Sequence, residues 1–289
     1  MKRKFTTIFV LILAVAVTFL MVPRLTFASF ASRGSMGTGT SKVDGTTVAI
    51  SSTAQTANAT DLVVVIIASD NVDTTDVETT HWSCVDSTGG NTYTRIGEYV
   101  NGEAAANAGV QVSLFYSRLA TQLASGGSIT CTTDSTTVAK QIRGWRFTTG
   151  NTVSVQTSAT PANADQASPP SMAISSLTEQ QYLFFRAGAI ESDNSVGTYS
   201  TTSGFTSIPR SGTSGGGEQS NVSTYGEFII TTATGATSDP NFSGGTSRDN
   251  SNWFVALKED AAAGGGATTN TPRAIVRGQV IIQGQTIIQ

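Results

Sequence analysis

The chain has 289 residues, of which only 13% are charged, with a single histidine and a formal net charge of −3. Sparse charge set among abundant Ser, Thr, Asn and Gly argues against a charged helical protein and fits β-structure with polar loops. Acid outweighs base and no basic stripe is present, so nucleic acid is not an expected partner.

The first segment has the layout of an export signal. Lys2-Arg3-Lys4 precedes an apolar run from Ile8 to Val22, then Pro23 and the small-residue site Thr26-Phe27-Ala28. A run this short ahead of such a site predicts a cleavable signal peptide over residues 1–28, with an uncleaved anchor as the alternative. Cleavage removes Lys2, Arg3, Lys4 and Arg24, leaving 13 basic residues against 20 acidic ones and a net charge of −7. The expected location is secreted or cell-surface, with no membrane span after cleavage.

Residues 29–45, rich in Gly, Ser and Thr without an apolar period, read as a flexible leader. Strand signals then recur between Gly, Asn, Asp and Ser clusters from Thr46 to Glu259. Leu62-Val63-Val64-Val65-Ile66-Ile67-Ala68 is too short for a buried helix and suits a central strand covered on both faces. Asp86-Ser87-Thr88-Gly89-Gly90 reads as a hairpin turn. In Val110–Arg118, Val110, Val112, Leu114 and Tyr116 share one face, and residues 141–148 place Arg143, Trp145 and Phe147 together. After a proline-bearing crossover at 161–170, Tyr182–Ile190 is nearly continuous in apolar residues, and Ser223–Thr232 and Asn252–Lys258 complete a second set. About twelve strands predict an all-β fold, a two-sheet antiparallel β-sandwich of jelly-roll type. One short helix is expected at Leu119–Ala124.

Val85-Asp86-Ser87-Thr88-Gly89-Gly90-Asn91-Thr92-Tyr93-Thr94, followed by Val110–Tyr116 and by Asn252-Trp253-Phe254-Val255-Ala256-Leu257-Lys258, resembles secreted bacterial and phage-tail β-sandwich domains. The resemblance spans residues 46–259 and rests on structural motifs. It implies a surface, adhesion or sugar-binding module and carries over no functional residue.

Residues 260–273 have linker composition. Beyond them, Val276-Arg277-Gly278-Gln279-Val280-Ile281 and Ile282-Gln283-Gly284-Gln285-Thr286-Ile287 make a six-residue repeat within a β tail over 274–289. Two copies cannot bury themselves as a solenoid. On a linker, Val280, Ile281, Ile282 and Thr286, Ile287, Ile288 are expected to pair with a second copy or another surface protein. The alternative is a hairpin folded back on its own domain, with Gly284 in the bend.

Cys84 and Cys131 lie in the exported part and are expected to form a disulfide, worth about 4 kcal/mol from loop closure. Asp70, Asp73, Asp76 and Glu78 concentrate carboxylates between two strands and are the candidate calcium ligands; no other cofactor is expected. Trp82, Tyr99 and Trp145 are the candidate stacking platforms for glycans. His81 beside Trp82 reads as structural, and no HExxH, GxSxG or P-loop pattern occurs. Asn58, Asn221 and Asn241 head Asn-x-Ser/Thr sequons. The expected function is an exported, non-enzymatic structural or adhesive surface protein, assembling through its C-terminal strand. A lectin-like module is the alternative and a secreted hydrolase the third reading.

Overall fold

The computed structural model describes residues 30–103, 107–165, 168–193, 197–217, 220–243 and 248–260, and the backbone of 281–282 and 285–286. The expected signal peptide and linker lie outside them. In the first half the strands are β1 (Ala31–Ser41), β2 (Gly45–Ile50), β3 (Leu62–Asp70), β4 (Val77–Glu78), β5 (Trp82–Asp86), β6 (Thr94–Asn101), β7 (Val110–Arg118), β8 (Ile129–Thr137) and β9 (Lys140–Thr148). The second half holds β10 (Val153–Ser158), β11 (Ala162–Asp165), β12 (Met172–Ile174), β13 (Gln180–Ile190), β14 (Thr198–Ser200), β15 (Thr206–Gly212), β16 (Ser223–Ala233), β17 (Ala236–Ser238), β18 (Asn241–Ser243) and β19 (Asp249–Glu259). A two-rung hairpin, β20 (Ile281–Ile282) with β21 (Gln285–Thr286), follows. The fold is all-β and every pairing of named strands is antiparallel. Among the described residues no helix is long and apolar enough to cross a membrane. The helix expected at Leu119–Ala124 is instead irregular chain with a bend at Ala120 and Thr121 and an isolated bridge, Ala57 to Leu123.

The layers number four. A first main sheet runs β1-β9-β3-β7-β6-β4, and a second runs β10-β19-β13-β16-β15. Between them Leu62, Val64, Ile66 and Ala68 meet Leu183, Phe185, Ala187 and Ala189. The opposite face of β3, Val63, Val65 and Ile67, packs under a first outer sheet, β2-β8-β5. The opposite face of β13, with Tyr182 and Phe184, packs under short outer strands, paired β12–β17 and β14–β18. A strand flanked by two sheets must be apolar on both faces, which is why Leu62–Ala68 shows no alternation. Each half also keeps its strands to itself. The arrangement is consistent with the expected antiparallel β-sandwich, two main sheets packed face to face, with shorter outer sheets added on either side.

The two halves are one design used twice. The order β10-β19-β13-β16-β15 matches β1-β9-β3-β7-β6 position by position, and in the outer layers β12, β17 with β18, and β14 stand where β2, β8 and β5 stand. The registers agree as well. Ile67 lies opposite Ile142 and Ser113, and Ile190 lies opposite Asn250 and Ser223. Counting along β9 and β19 from there makes Trp145 the counterpart of Trp253. Ala49-Ile50-Ser51-Ser52 recurs as Ala173-Ile174-Ser175-Ser176, and Ser69-Asp70-Asn71 as Ser192-Asp193-Asn194.

The segment expected as a flexible leader is corrected to an eleven-residue edge strand, β1, paired along β9 and bulged between Ser32 and Gly34 and between Ser35 and Gly37. Its small side chains are a packing requirement. A Cβ on Gly39 would lie 1.7 Å from the Ala49 carbonyl oxygen, so only glycine lets β1 pass this close to β2. Close strand crossing and linker composition look alike in sequence.

Candidate functional site

The carboxylates proposed for calcium are spent separately. Asp70 is buried at the end of β3 and its carboxylate accepts from the Ala139 N–H at 2.7 Å, tying β3 to the β8–β9 turn. Burial pushes its pKa up to about 6 against hydrogen bonds that pull the other way. Asp76 accepts from the Gly102 N–H at 3.0 Å, Asp73 engages His81, and Glu78 is exposed on β4. No group of three His, Cys, Asp or Glu among the described residues is placed to hold a metal. The four residues are thus not brought together.

The local organiser is Glu98 on β6, which is buried. Its carboxylate accepts from the Thr79 hydroxyl at 2.6 Å, the His81 N–H at 2.8 Å, the Trp82 N–H at 3.1 Å and the Gln111 amide at 2.6 Å. This fixes His81 between two acids, with Nδ1 2.6 Å from Asp134 Oδ1 and Nε2 3.0 Å from Asp73 Oδ2. With both ring nitrogens engaged by carboxylates and Ser135 donating to Asp134 rather than facing the ring, the arrangement is a charge clamp, not a Ser-His-Asp relay. Burial acts to lower the imidazole pKa, but the hydrogen bonds that the ring donates to Asp73 and then Asp134 outweigh it, and the net shift is upward. A raised pKa means that the clamp's stabilisation is complete below the ordinary histidine value and is lost as pH rises through the folded-state value. His81 in D73N or D134N is expected to titrate lower than in the wild type by NMR, with a stability loss of about 1 kcal/mol or less, as for partly exposed ion pairs.

The aromatic platform does not form as expected. Trp82 is 1% exposed, pointing from β5 into the core beside the disulfide, so it cannot stack on a ligand. Tyr99 and Trp145 both pack against the core between the main sheets. They sit on β6 and β9 with β7 and β3 between them, roughly 14 Å apart at the usual strand spacing. Trp145 lies 6.1 Å from Phe228, while its counterpart Trp253 occupies the space over Gly97, where a Cβ would meet the indole at 2.1 Å. Trp145 is thus partly buried against the core between the main sheets, at the position that Trp253 holds in the second half.

Cys84 and Cys131 are disulfide-bonded and directly opposite each other on β5 and β8. The most polar buried cluster lies where the second half has its equivalent of that apolar interior. By register, Val63, Phe115, Ser117 and Gly144 correspond to Arg186, Tyr225, Glu227 and Asn252, and Cys131 to Ser238. Arg186 is fully buried, donating to Asn252 Oδ1 at 2.8 Å, to the Pro170 carbonyl at 2.8 Å and to the Ser238 carbonyl at 3.1 Å. Glu227 accepts from the Ser238 hydroxyl at 2.6 Å and from the Thr202 N–H and hydroxyl at 2.8 and 2.7 Å. Tyr225 donates to Asn252, and burial pushes its phenol up to about 12. Together they clasp the short outer strands to the second main sheet. This network was missed in the sequence. Its signal was one arginine inside the apolar run Tyr182–Ile190, since a charge there requires partners.

Of the sequons, Asn58 and Asn241 are exposed, whereas Asn221 is fully buried, its amide donating to the Gly215 and Gly217 carbonyls. Of the tail residues expected to pair, Ile281, Ile282 and Thr286 have their backbone in the β20–β21 hairpin, which joins no other sheet among the described residues. Val280, Ile287 and Ile288 lie outside those residues. Comparison with protein-family models, with curated proteins and with solved structures finds no match to this chain.

Proposed function

We propose that the chain is an exported structural or adhesive protein of the cell surface that assembles through its C-terminal segment. The observation that carries this reading is that the start of β1 and the end of β19 lie side by side. Ala31 pairs with Thr148, Glu259 pairs with Val153, and the Asp260 N–H donates to the Thr152 carbonyl at 2.8 Å. The start of β1 and the end of β19 therefore meet at the β9–β10 connection, so the expected C-terminal segment leaves the described residues there. The edges of the two main sheets are poor templates for strand addition: β1 and β10 are bulged, β4 has two residues, β11 has four, and β15 carries Pro209 and a bulge. Pairing between copies then falls to the apolar repeat at 274–289, and the resemblance to secreted surface domains supports the same reading.

Electron microscopy and light scattering of the chain from residue 29, with and without Ala274–Gln289, test it. Multimers or filaments are expected from the longer form and monomers from the shorter. The same mass distribution for both would refute assembly through the tail.

A further inference from the structure

Strand β9 turns Gln141, Arg143, Trp145 and Phe147 toward the second main sheet, each opposite a residue of the shared core on β3. Arg143 is the misfit in that row. It stands opposite Ile66, is 6% exposed, and its Nε is buried with no hydrogen-bond partner. The ion pairs of the described residues leave it out. An arginine at a surface buries its stem and keeps its head in water, but here Nε is taken under as well. Burial draws its pKa down to about 10, and no neighbouring acid opposes the shift. The doubled fold supplies an internal control. Register makes Ser251 on β19 the counterpart of Arg143, and its hydroxyl donates across the seam to the Tyr99 carbonyl at 2.7 Å. Arg146, on the opposite face of β9, is likewise satisfied, by Asp61 at 2.8 Å. A buried cation without a partner is costly, and the second half shows that the fold does not require one here.

Beside Arg143 runs a ledge of hydroxyls. Through its two bulges β1 keeps Ser32, Ser35, Thr38 and Thr40 opposite Phe147, Trp145, Arg143 and Gln141, all on the same face. Thr38 and Thr40 are exposed, because β15, the edge of the second main sheet, lies over β9 rather than over β1. Ser32 accepts from the Trp145 indole at 2.9 Å and Ser35 from the Gly37 N–H at 3.1 Å, so Thr38 and Thr40 are the hydroxyls with bonds to give. Beyond Thr40 the ledge is closed by Lys42, whose ammonium crosses to the Gly215 carbonyl and, at 3.0 Å, to the Ser220 hydroxyl.

We infer that the groove between β1 and β15 binds an acidic glycan, with Arg143 taking a carboxylate of the sugar chain and Thr38 and Thr40 its neighbouring hydroxyls. A guanidinium matches a carboxylate as a two-bonded fork. The flanking threonines suit a ligand that is itself rich in hydroxyls, and a ledge open along several residues admits a chain. The ligand then brings the negative charge that the fold withholds. This assignment rests on the adhesive reading above but not on assembly through the tail, so either can fail without the other.

The probe is an oligogalacturonate, titrated into the chain from residue 29 and followed by calorimetry and by the NMR signal of the Arg143 Nε–H. Its methyl ester and inorganic sulfate are the controls. Binding is expected to shift that signal and to weaken by about ten- to a hundredfold in Arg143→Met, the range of a charge-assisted contact. R143M should also unfold at a urea concentration no lower than the wild type, since it removes a buried charge that has no partner. Thr38→Val, at an exposed edge, tests the ledge with the core untouched and is expected to weaken binding about two- to tenfold. No binding of the oligomer, equal binding by wild type and both variants, or equal binding of the methyl ester would overturn the inference. So would R143M unfolding well below the wild type, because the arginine would then serve the fold. Sulfate alone shifting the Arg143 signal as strongly as the oligomer would overturn it too, leaving a site for a free anion.

Discussion

Arg186→Met is expected to destabilise the protein by about 3–5 kcal/mol, the usual consequence of removing one partner from a buried charged network. Met fills most of the volume but offers no donors. The Pro170 and Ser238 carbonyls would lose their bonds from the guanidinium in a dry interior, and Asn252 Oδ1 would keep only its bond from Tyr225. Each bond lost in this way costs about 1–3 kcal/mol, so the mutational loss is dominated by the lost bonds rather than by packing. Arg186→Lys should recover only part of it, because a single ammonium cannot reproduce a fork that reaches β19, the residues before β12, and β17 at once. Urea denaturation of the three proteins measures the order wild type, Lys, Met. A loss under about 1 kcal/mol for Met would mean that the outer strands of the second half are held by Met172, Ile174 and Phe184 alone.

The same network shows where sequence reasoning stops. The strands β3, β13 and β19 were legible because being flanked on both faces leaves a continuous apolar run, and β7 because its alternation is regular. The cysteine pairing followed from having just two thiols in a chain expected to be exported. Three things were not legible, each for a physical reason. β1 uses Gly and Ser to pass close to β2, and those residues also make linkers. The calcium expectation counted acids near in sequence, but a loop between strands points Asp70, Asp73 and Asp76 at three different partners. The doubling escaped because the halves share register and burial rather than residues. Only short echoes survive, at 49–52 and 173–176 and at 69–71 and 192–194, about 120 residues apart, well beyond the 20–50-residue periods of solenoid repeats.

Replacing both Cys84 and Cys131 by Ala is expected to remove about 4 kcal/mol, the loop-closure term for a sequence separation of 47. At the entropy of unfolding of a domain this size, that lowers the melting temperature by about 10 °C. The double variant is the right probe because Cys131 is fully buried and Cys84 nearly so, and reductant meets them only after unfolding. How the transition moves is as informative as how far. The disulfide belongs wholly to the first half, but β3 contributes Leu62, Val64 and Ile66 to the core shared with Leu183, Phe185 and Val255 of the second. Losing one half exposes the apolar face of the other, so the variant should melt in a single calorimetric transition shifted as a whole. A split into two transitions, with the later one unmoved from the wild type, would show the halves to be independent domains. The shared core would then be an interface too weak to couple them.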